Sequence, residues 1–182
     1  MDLLEGIASR TSAIRLNAPG PTKDHIEQII RAGTRAPDHG RLRPWRFIVL
    51  EGDGRVRLGD AMAEMHQRKF ADATPEQLDQ ERRKAMRAPT IIVVAAKITQ
   101  GKIPEIEQVT AVGAAVQNMF LAANALGYGA MWKTGGAAYD ARVKAMFGLE
   151  PTDHIVALLY LGTENAKGPL VEAPLDQVVT WL

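Results

Sequence analysis

The sequence contains no cysteine. That excludes disulfides, thiolate nucleophiles and thiolate metal sites. It also lacks a charge excess: 22 lysines and arginines stand against 21 aspartates and glutamates, a formal net charge of +1. No general affinity for nucleic acid or a membrane surface follows from that balance, so any anion-binding site must be local. No segment approaches the roughly 20 apolar residues of a membrane-spanning helix. The start, MDLLEGIASRTS, carries acids early and no long apolar run, unlike a signal peptide, and a cytoplasmic protein is the expectation. His25, His39, His66 and His154 have no metal-ligand spacing among themselves, and the HExxH, P-loop and GxSxG patterns are missing. GYGAMW has only the first two glycines of the dinucleotide fingerprint and leads into a strand rather than a helix. No metal is expected and no catalytic side chain stands out. A chain with a binding site but no reactive residue points to a cofactor that carries the chemistry.

What is present is a core. Hydrophobic residues make up 46% of the 182, enough for one domain over residues 1–182. Leu3, Leu4, Ile7 and Ala8 share a face of a short opening helix, which RTSAIR ends. Thr22 can cap a second helix that fades at Gly33. A strand follows at Trp45–Glu51, then a helix over residues 55–70. TPEQ at Thr74 reads as a capping box starting a polar helix to about Met86, expected to be a solvated flap or arm. APTIIVVAAKI reads as a central strand buried on both faces. From Glu105 to Leu126 the chain reads as a helix apolar nearly all round, rich in alanine and suited to a subunit interface. A short strand to Lys133, a helix near Tyr139–Phe147 and the strand HIVALLYLGT complete an α/β (α+β) chain. The tail, about residues 164–182, ends VVTWL and is expected to pack on its own core or on a neighbour.

Two basic segments remain. SRTSAIR combines Arg10 with the hydroxyls of Thr11 and Ser12 beside a helix end, groups that hold phosphates. RAPDHGRLRPWRFIVL places Arg35, His39, Arg41 and Arg43 before a strand, with Pro44 expected to hold Arg43 extended and Trp45 to anchor on the core. From the residues alone, the first segment is either a phosphate cradle or a solvated turn. The second is either part of an anion site or an arginine-rich surface paired with acids. A nucleic-acid reading is weak, because the basic residues lack interleaved aromatics apart from Trp45.

Taken in order, RTS at Arg10–Ser12, APDHGRLRPWRFIVL, AANALGYGAMWKTG and LLYLGT resemble the motifs of the nitroreductase family of flavoproteins, and the short chain with its RAPDH variant resembles a branch of short members. The resemblance implies a nitroreductase-like α+β fold, a central mixed β-sheet flanked by helices, in an intertwined homodimer with FMN at the subunit interface. It implies that Arg10, Thr11 and Ser12 hold FMN from one subunit and that Arg35 and His39 reach the same FMN from the other. Met131, Trp132 and Lys133 would run beside the isoalloxazine. Arg10, Lys133 and Arg35 are the candidates for the cation at flavin N1 and O2. The family's C-terminal pair of basic phosphate ligands is missing, with Lys167 the only nearby candidate. The implied activity is ping-pong hydride transfer from NADH or NADPH through flavin N5 to nitroaromatic or quinone-like acceptors. The alternative is a flavin-binding carrier or sensor with little turnover.

Overall fold

A strand buried on both faces needs a layer of structure on each side. The computed structural model, which describes residues 2–182, places Thr90–Ala96 in that position, with all seven residues buried. Numbered along the chain, the strands are β1 (Arg15–Asn17), β2 (Trp45–Leu50), β3 (Thr90–Ala96), β4 (Gly129–Lys133) and β5 (His154–Ala166). The helices are α1 (Leu3–Ser9), α2 (Lys23–Gly33), α3 (Asp53–Lys69), α4 (Pro75–Ala85), α5 (Glu105–Ala125), α6 (Ala141–Met146) and α7 (Leu175–Val178). β3 lies between β2 and β5. β5 also pairs with β4, and its C-terminal end pairs with β1.

The α+β class is as expected, but all these pairings are antiparallel, where a mixed sheet was anticipated. β3 and β4 do run the same way, as their connection through α5 requires. Leu158 of β5 pairs with Val93 on one edge and Lys133 on the other, so β5 separates the two and no parallel pair forms.

Alternate residues of β3 serve two cores. Ile92, Val94 and Ala96 meet Ile26 and Ile29 of α2 and Val112, Val116 and Met119 of α5. Ile91, Val93 and Ala95 meet Leu58 and Met62 of α3, Ala85 of α4 and Val143 of α6. The matching alternation of β5 is interrupted once, where its register against β3 shifts between Val94 and Ala95. A bulge there puts Ile155 in the same core as Leu158. The Trp132 indole N–H donates to the Val156 carbonyl, 2.9 Å away, at that bulge.

Local chemistry sets the helix ends. The Thr22 hydroxyl accepts from the His25 N–H at the start of α2. Thr74 and Gln77 exchange the two bonds of a capping box at the start of α4. α4 is solvated on its outer side but is not a free arm. It lies against α3 so closely that a Cβ on Gly59 would stand 2.8 Å from the Arg82 carbonyl oxygen. α5 is buried along Val112, Ala115, Val116, Met119 and Ala123, and Gly33 of α2 lets the Met119 side chain approach. No helix among the described residues is long and apolar enough to cross a membrane.

Three local expectations change. RTSAIR does not merely end α1, because its last residue opens β1. Arg43 is not extended before Pro44 but has φ +51°, with Asp38 Oδ2 accepting its backbone N–H at 2.6 Å. The tail begins later than residue 164, since Glu164–Ala166 belong to β5. Beyond it, Val171, Leu175 and Trp181 stay exposed, so the tail does not pack on its own core.

The Gly59 contact sets a prediction. Gly59→Ala gains about 1 kcal/mol of helix propensity but forces α4 away from α3. Urea unfolding is expected to show a net loss of about 1–2 kcal/mol, because the opposing atom is backbone and cannot rotate aside.

Candidate functional site

The site is built on the face of β4 and β5 that looks toward α3 and α4. Side chains alternate along a strand, so Met131 and Lys133 join Leu158 and Tyr160 there, with Lys133 Nζ 5.8 Å from the Tyr160 ring centre. Ala130 belongs to the opposite core, and Trp132, two residues on, shares its side of the strand. The Trp132 side chain thus faces away from the other two, and only its backbone runs beside them. Apart from the Ala13 N–H donating to the Ala130 carbonyl, no strand pairs with the second edge of β4 among the described residues.

Cations gather above this floor. Burial, and then the charges of Arg87 and Lys84, pull the Lys133 ammonium below the ordinary lysine value. Lys84 Nζ is neutralised by Glu81, 2.5 and 2.6 Å from its two carboxylate oxygens. Among the described residues neither Arg87 nor Lys133 has a carboxylate within ion-pair distance. Burial pushes the Tyr160 phenol up to about 12, against the opposing pull of Arg87.

Two connected hollows result. A cleft of about 150 Å³ is bounded by Ala13, Ile14 and Leu16 on one side and by Met131, Lys133, Tyr160 and Arg87 on the other. The last three residues also line a cavity of about 460 Å³ that opens between α3, α4 and residues 134–137.

The Arg10–Ser12 segment leads from α1 to the wall of this cleft at Ala13. The Arg10 guanidinium carbon sits 4.8 Å from the ring centre of buried Phe120, which fixes the side chain by cation–π contact. Ser12 is followed by Ala13, whose bond to Ala130 ties the segment to β4. The chain leaving β5 returns to the same place: the Ile14 N–H donates to the Ala166 carbonyl at 3.2 Å, and Gly168 lies directly on the Ser12 carbonyl. Lys167 is therefore held beside Ser12.

Arg35 follows the end of α2, where the Asn118 side chain of α5 donates to the Ala32 carbonyl, and His39 lies farther off. His39 Nδ1 is 2.6 Å from Glu107 Oε2, in the first turn of α5, and both side chains are exposed. Between Glu107 and Phe120, which carries Arg10, lies about 20 Å of helix at about 1.5 Å per residue. Met131 and Lys133 thus line one cleft, whose wall the Arg10–Ser12 segment joins at Ala13, while Arg10 itself lies against Phe120 and His39 is held at the other end of α5. The sequence reading missed Lys84, Arg87 and Tyr160. The signal was there: Lys84 and Arg87 stand three apart in ERRKAMR, on one side of a helical turn, and Tyr160 is two residues from Leu158 on β5.

Comparison with known proteins bears on this geometry. The model of the nitroreductase family matches residues 7–163. The chain belongs to the nitroreductase family. It is 41% identical to the Escherichia coli (strain K12) protein YdjA over 169 residues, covering 92% of this chain and 91% of that one. It is 36% identical to a Haemophilus influenzae protein over 169 residues, with the same coverage. Both relatives are provisionally named NAD(P)H nitroreductases. A nitroreductase-like protein from Bacillus cereus shares the fold with TM-score 0.85 at 24% identity, over 100% of this chain and 96% of that one. A provisionally named nitroreductase from Desulfovibrio desulfuricans, solved in complex with FMN, has TM-score 0.78 at 26% identity, over 100% and 97%. As a member of the family the protein is an oxidoreductase.

The buried phenol provides a direct check on the site floor. Of the three tyrosines, Tyr160 is expected to ionise last, at about pH 12, in a phenolate absorbance titration. The late step should vanish in Tyr160→Phe. A folded pKa above the unfolded value of about 10 means that Tyr160 favours folding fully below pH 10. That contribution is lost as pH rises from about 10 to about 12.

Proposed function

We propose that the protein is an FMN-dependent NAD(P)H oxidoreductase that reduces nitroaromatic or quinone-like acceptors in a ping-pong cycle. In this reading it works as a homodimer with FMN at the subunit interface. The observation that carries the reading is the pair of cations without carboxylate partners, Arg87 and Lys133, over an apolar strand face, in a cleft whose wall begins at Ala13, one residue after an Arg-Thr-Ser segment. FMN is a flat ring with a polar edge joined to a phosphate, and the two parts of this site match the two parts of FMN. The FMN complex of the Desulfovibrio relative and the names of the E. coli and H. influenzae relatives support it further.

Bound FMN would supply the two-electron chemistry between NAD(P)H and the acceptor. The chain supplies position and field. Met131 and Tyr160 offer a surface against the ring, and the β4 backbone from Met131 to Lys133, Trp132 included, offers polar groups along its edge. Arg87 and Lys133 stabilise negative charge at the N1 and O2 edge, in a part-buried place where fixed charges count for more than in water. Lys133 and Arg87 fill that role better than Arg10, which Phe120 holds at the phosphate end. Arg10, Thr11 and Ser12 bind phosphate, with Lys167 as the cation added from the C-terminal side.

Two observations support a second subunit. His39, which Glu107 holds at the far end of α5 from Phe120, lies too far from Arg10 of the same chain to share a ligand with it, so its contact with the same FMN would come across an interface. In addition, Leu3, Leu4 and Ile7 form an apolar face of α1 that is exposed in the single chain, as are the apolar residues of the tail.

Arg10→Ala is expected to raise the FMN dissociation constant about 10- to 100-fold, the loss of one charge-assisted hydrogen bond, without changing the fold. An unchanged constant removes the phosphate role. Heterodimers with Arg10→Ala in one subunit and His39→Ala in the other test the shared site. One of their two FMN sites should bind normally and the other poorly, whereas two equal sites would contradict sharing. Steady-state NADH and NADPH oxidation with a nitroarene or a quinone tests the activity, and binding of FMN without turnover would favour the carrier alternative.

A further inference from the structure

The flavin reading leaves one wall of the 460 Å³ cavity unused. That wall comes from the last two turns of α3 and the residue after it: Met62, Met65, His66, Lys69 and Phe70. We infer that this outer part of the cavity is the acceptor site and that it selects aromatic acceptors carrying an anionic group, such as a carboxylate. The inference rests on the proposed FMN-dependent activity and adds to it a substrate class.

Shape and polarity come first. The wall joins Leu158 and Ala137 to make an apolar slot, and the cavity volume lies in the range of small-molecule sites. The His66 and Phe70 rings are 4.8 Å apart and inclined at 45°, a surface against which an aromatic ring can stack. Met62 and Met65 add soft, adaptable contacts.

Charge then narrows the class. The lining holds four cations, Lys69, Lys84, Arg87 and Lys133, and one carboxylate, Glu81. Glu81 is already engaged by Lys84 and lies 3.6 Å from His66 Nδ1. Three cations are left over. Arg87 and Lys133 also border the inner cleft, where the flavin edge is placed. Lys69 borders only the outer cavity, with its Nζ 5.4 Å from the Phe70 ring. It stands at the mouth of the slot with no carboxylate within ion-pair distance among the described residues. A ring stacked on Phe70 with a carboxylate toward Lys69 satisfies both groups at once. A neutral acceptor uses the apolar wall and leaves the cation unpaired.

The test compares 4-nitrobenzoate with its neutral analogue 4-nitrobenzyl alcohol on the FMN-loaded protein and on Lys69→Met. The ratio of kcat/KM for the anionic to the neutral acceptor is expected to exceed one in the native protein. It should fall about fivefold in the variant, the worth of one half-exposed ion pair, and should decline with added salt. Equilibrium dialysis of 4-nitrobenzoate against the oxidised, FMN-loaded protein should show the same loss of affinity without any turnover. A native ratio at or below one overturns the inference, as does a ratio that the variant leaves unchanged. An effect of Lys69→Met on the rate of flavin reduction by NADPH, with none on the acceptor ratio, also overturns it and assigns the lysine to the phosphates of the donor. Failure of the activity itself is distinct: it appears as absent turnover with both acceptors, and the acceptor site falls with it.

Discussion

The register of β5 is the constraint on which the rest depends. This strand pairs with β3 along one edge and β4 along the other, and then continues to β1. Tyr160 sits opposite Ile91 and Met131, and Leu158 opposite Val93 and Lys133. The same strand ends where Lys167 is brought back beside Ser12. A slip of one residue would turn Tyr160 into the α2–α5 core and Leu159 or Leu161 into the cleft. The bulge at Val156 adjusts this register, and the Trp132 indole bond at the bulge ties β4 to the adjustment. Thus the Trp132 side chain holds the strand in place, which leaves its backbone to run along the cleft side of β4.

Electrostatics gives the cleft a local positive charge although the protein is nearly neutral. Lys84 of α4 is paired with Glu81, but Arg87 just beyond α4 and Lys133 of β4 border one cleft with no carboxylate within ion-pair distance among the described residues. The price shows in Lys133, whose protonated form is disfavoured by burial and by Arg87 and Lys84. Tyr160 beneath them stays a neutral phenol far above physiological pH, so the floor adds no negative charge of its own. An anionic ligand would relieve the repulsion between Arg87 and Lys133, which no carboxylate among the described residues pairs. The outer cavity extends the pattern through Lys69. Selection of donor, cofactor and acceptor can therefore share one source of positive potential.

Much of the fold was legible in the sequence. The two-faced run TIIVVAA, the capping box at Thr74 and the apolar helix before Gly127 each follow from local chemistry and formed as read. What was not legible depends on tertiary contact. The polar face of α4 looked like a solvated arm, because the sequence cannot show that Gly59 lets α3 approach its backbone. Lys84 and Arg87 were hidden by that same reading. β1 is only three residues long and is made by β5 rather than by its own propensity. Arg43 takes a positive φ because Asp38 binds its N–H, which overrides the preference that Pro44 imposes. The ordered motifs pointed to Arg10, Thr11, Ser12, Met131 and Lys133, of which Met131 and Lys133 line the cleft. His39, held by Glu107 at the far end of α5, would reach the same site only from a second chain, which no single chain can show.

The account stands or falls on a flavin in the cleft over β4. The most direct measurement is an anaerobic titration with NADPH and NADH, followed by absorbance, of protein loaded with FMN and freed of excess. The account predicts one protein-bound FMN per chain, bleached fully by about one equivalent of the nicotinamide donor, and loss of both the bound flavin and the bleaching when Arg87 and Lys133 are together replaced by methionine. Protein that retains no flavin, or flavin that is retained and reduced equally well without these two cations, would contradict it.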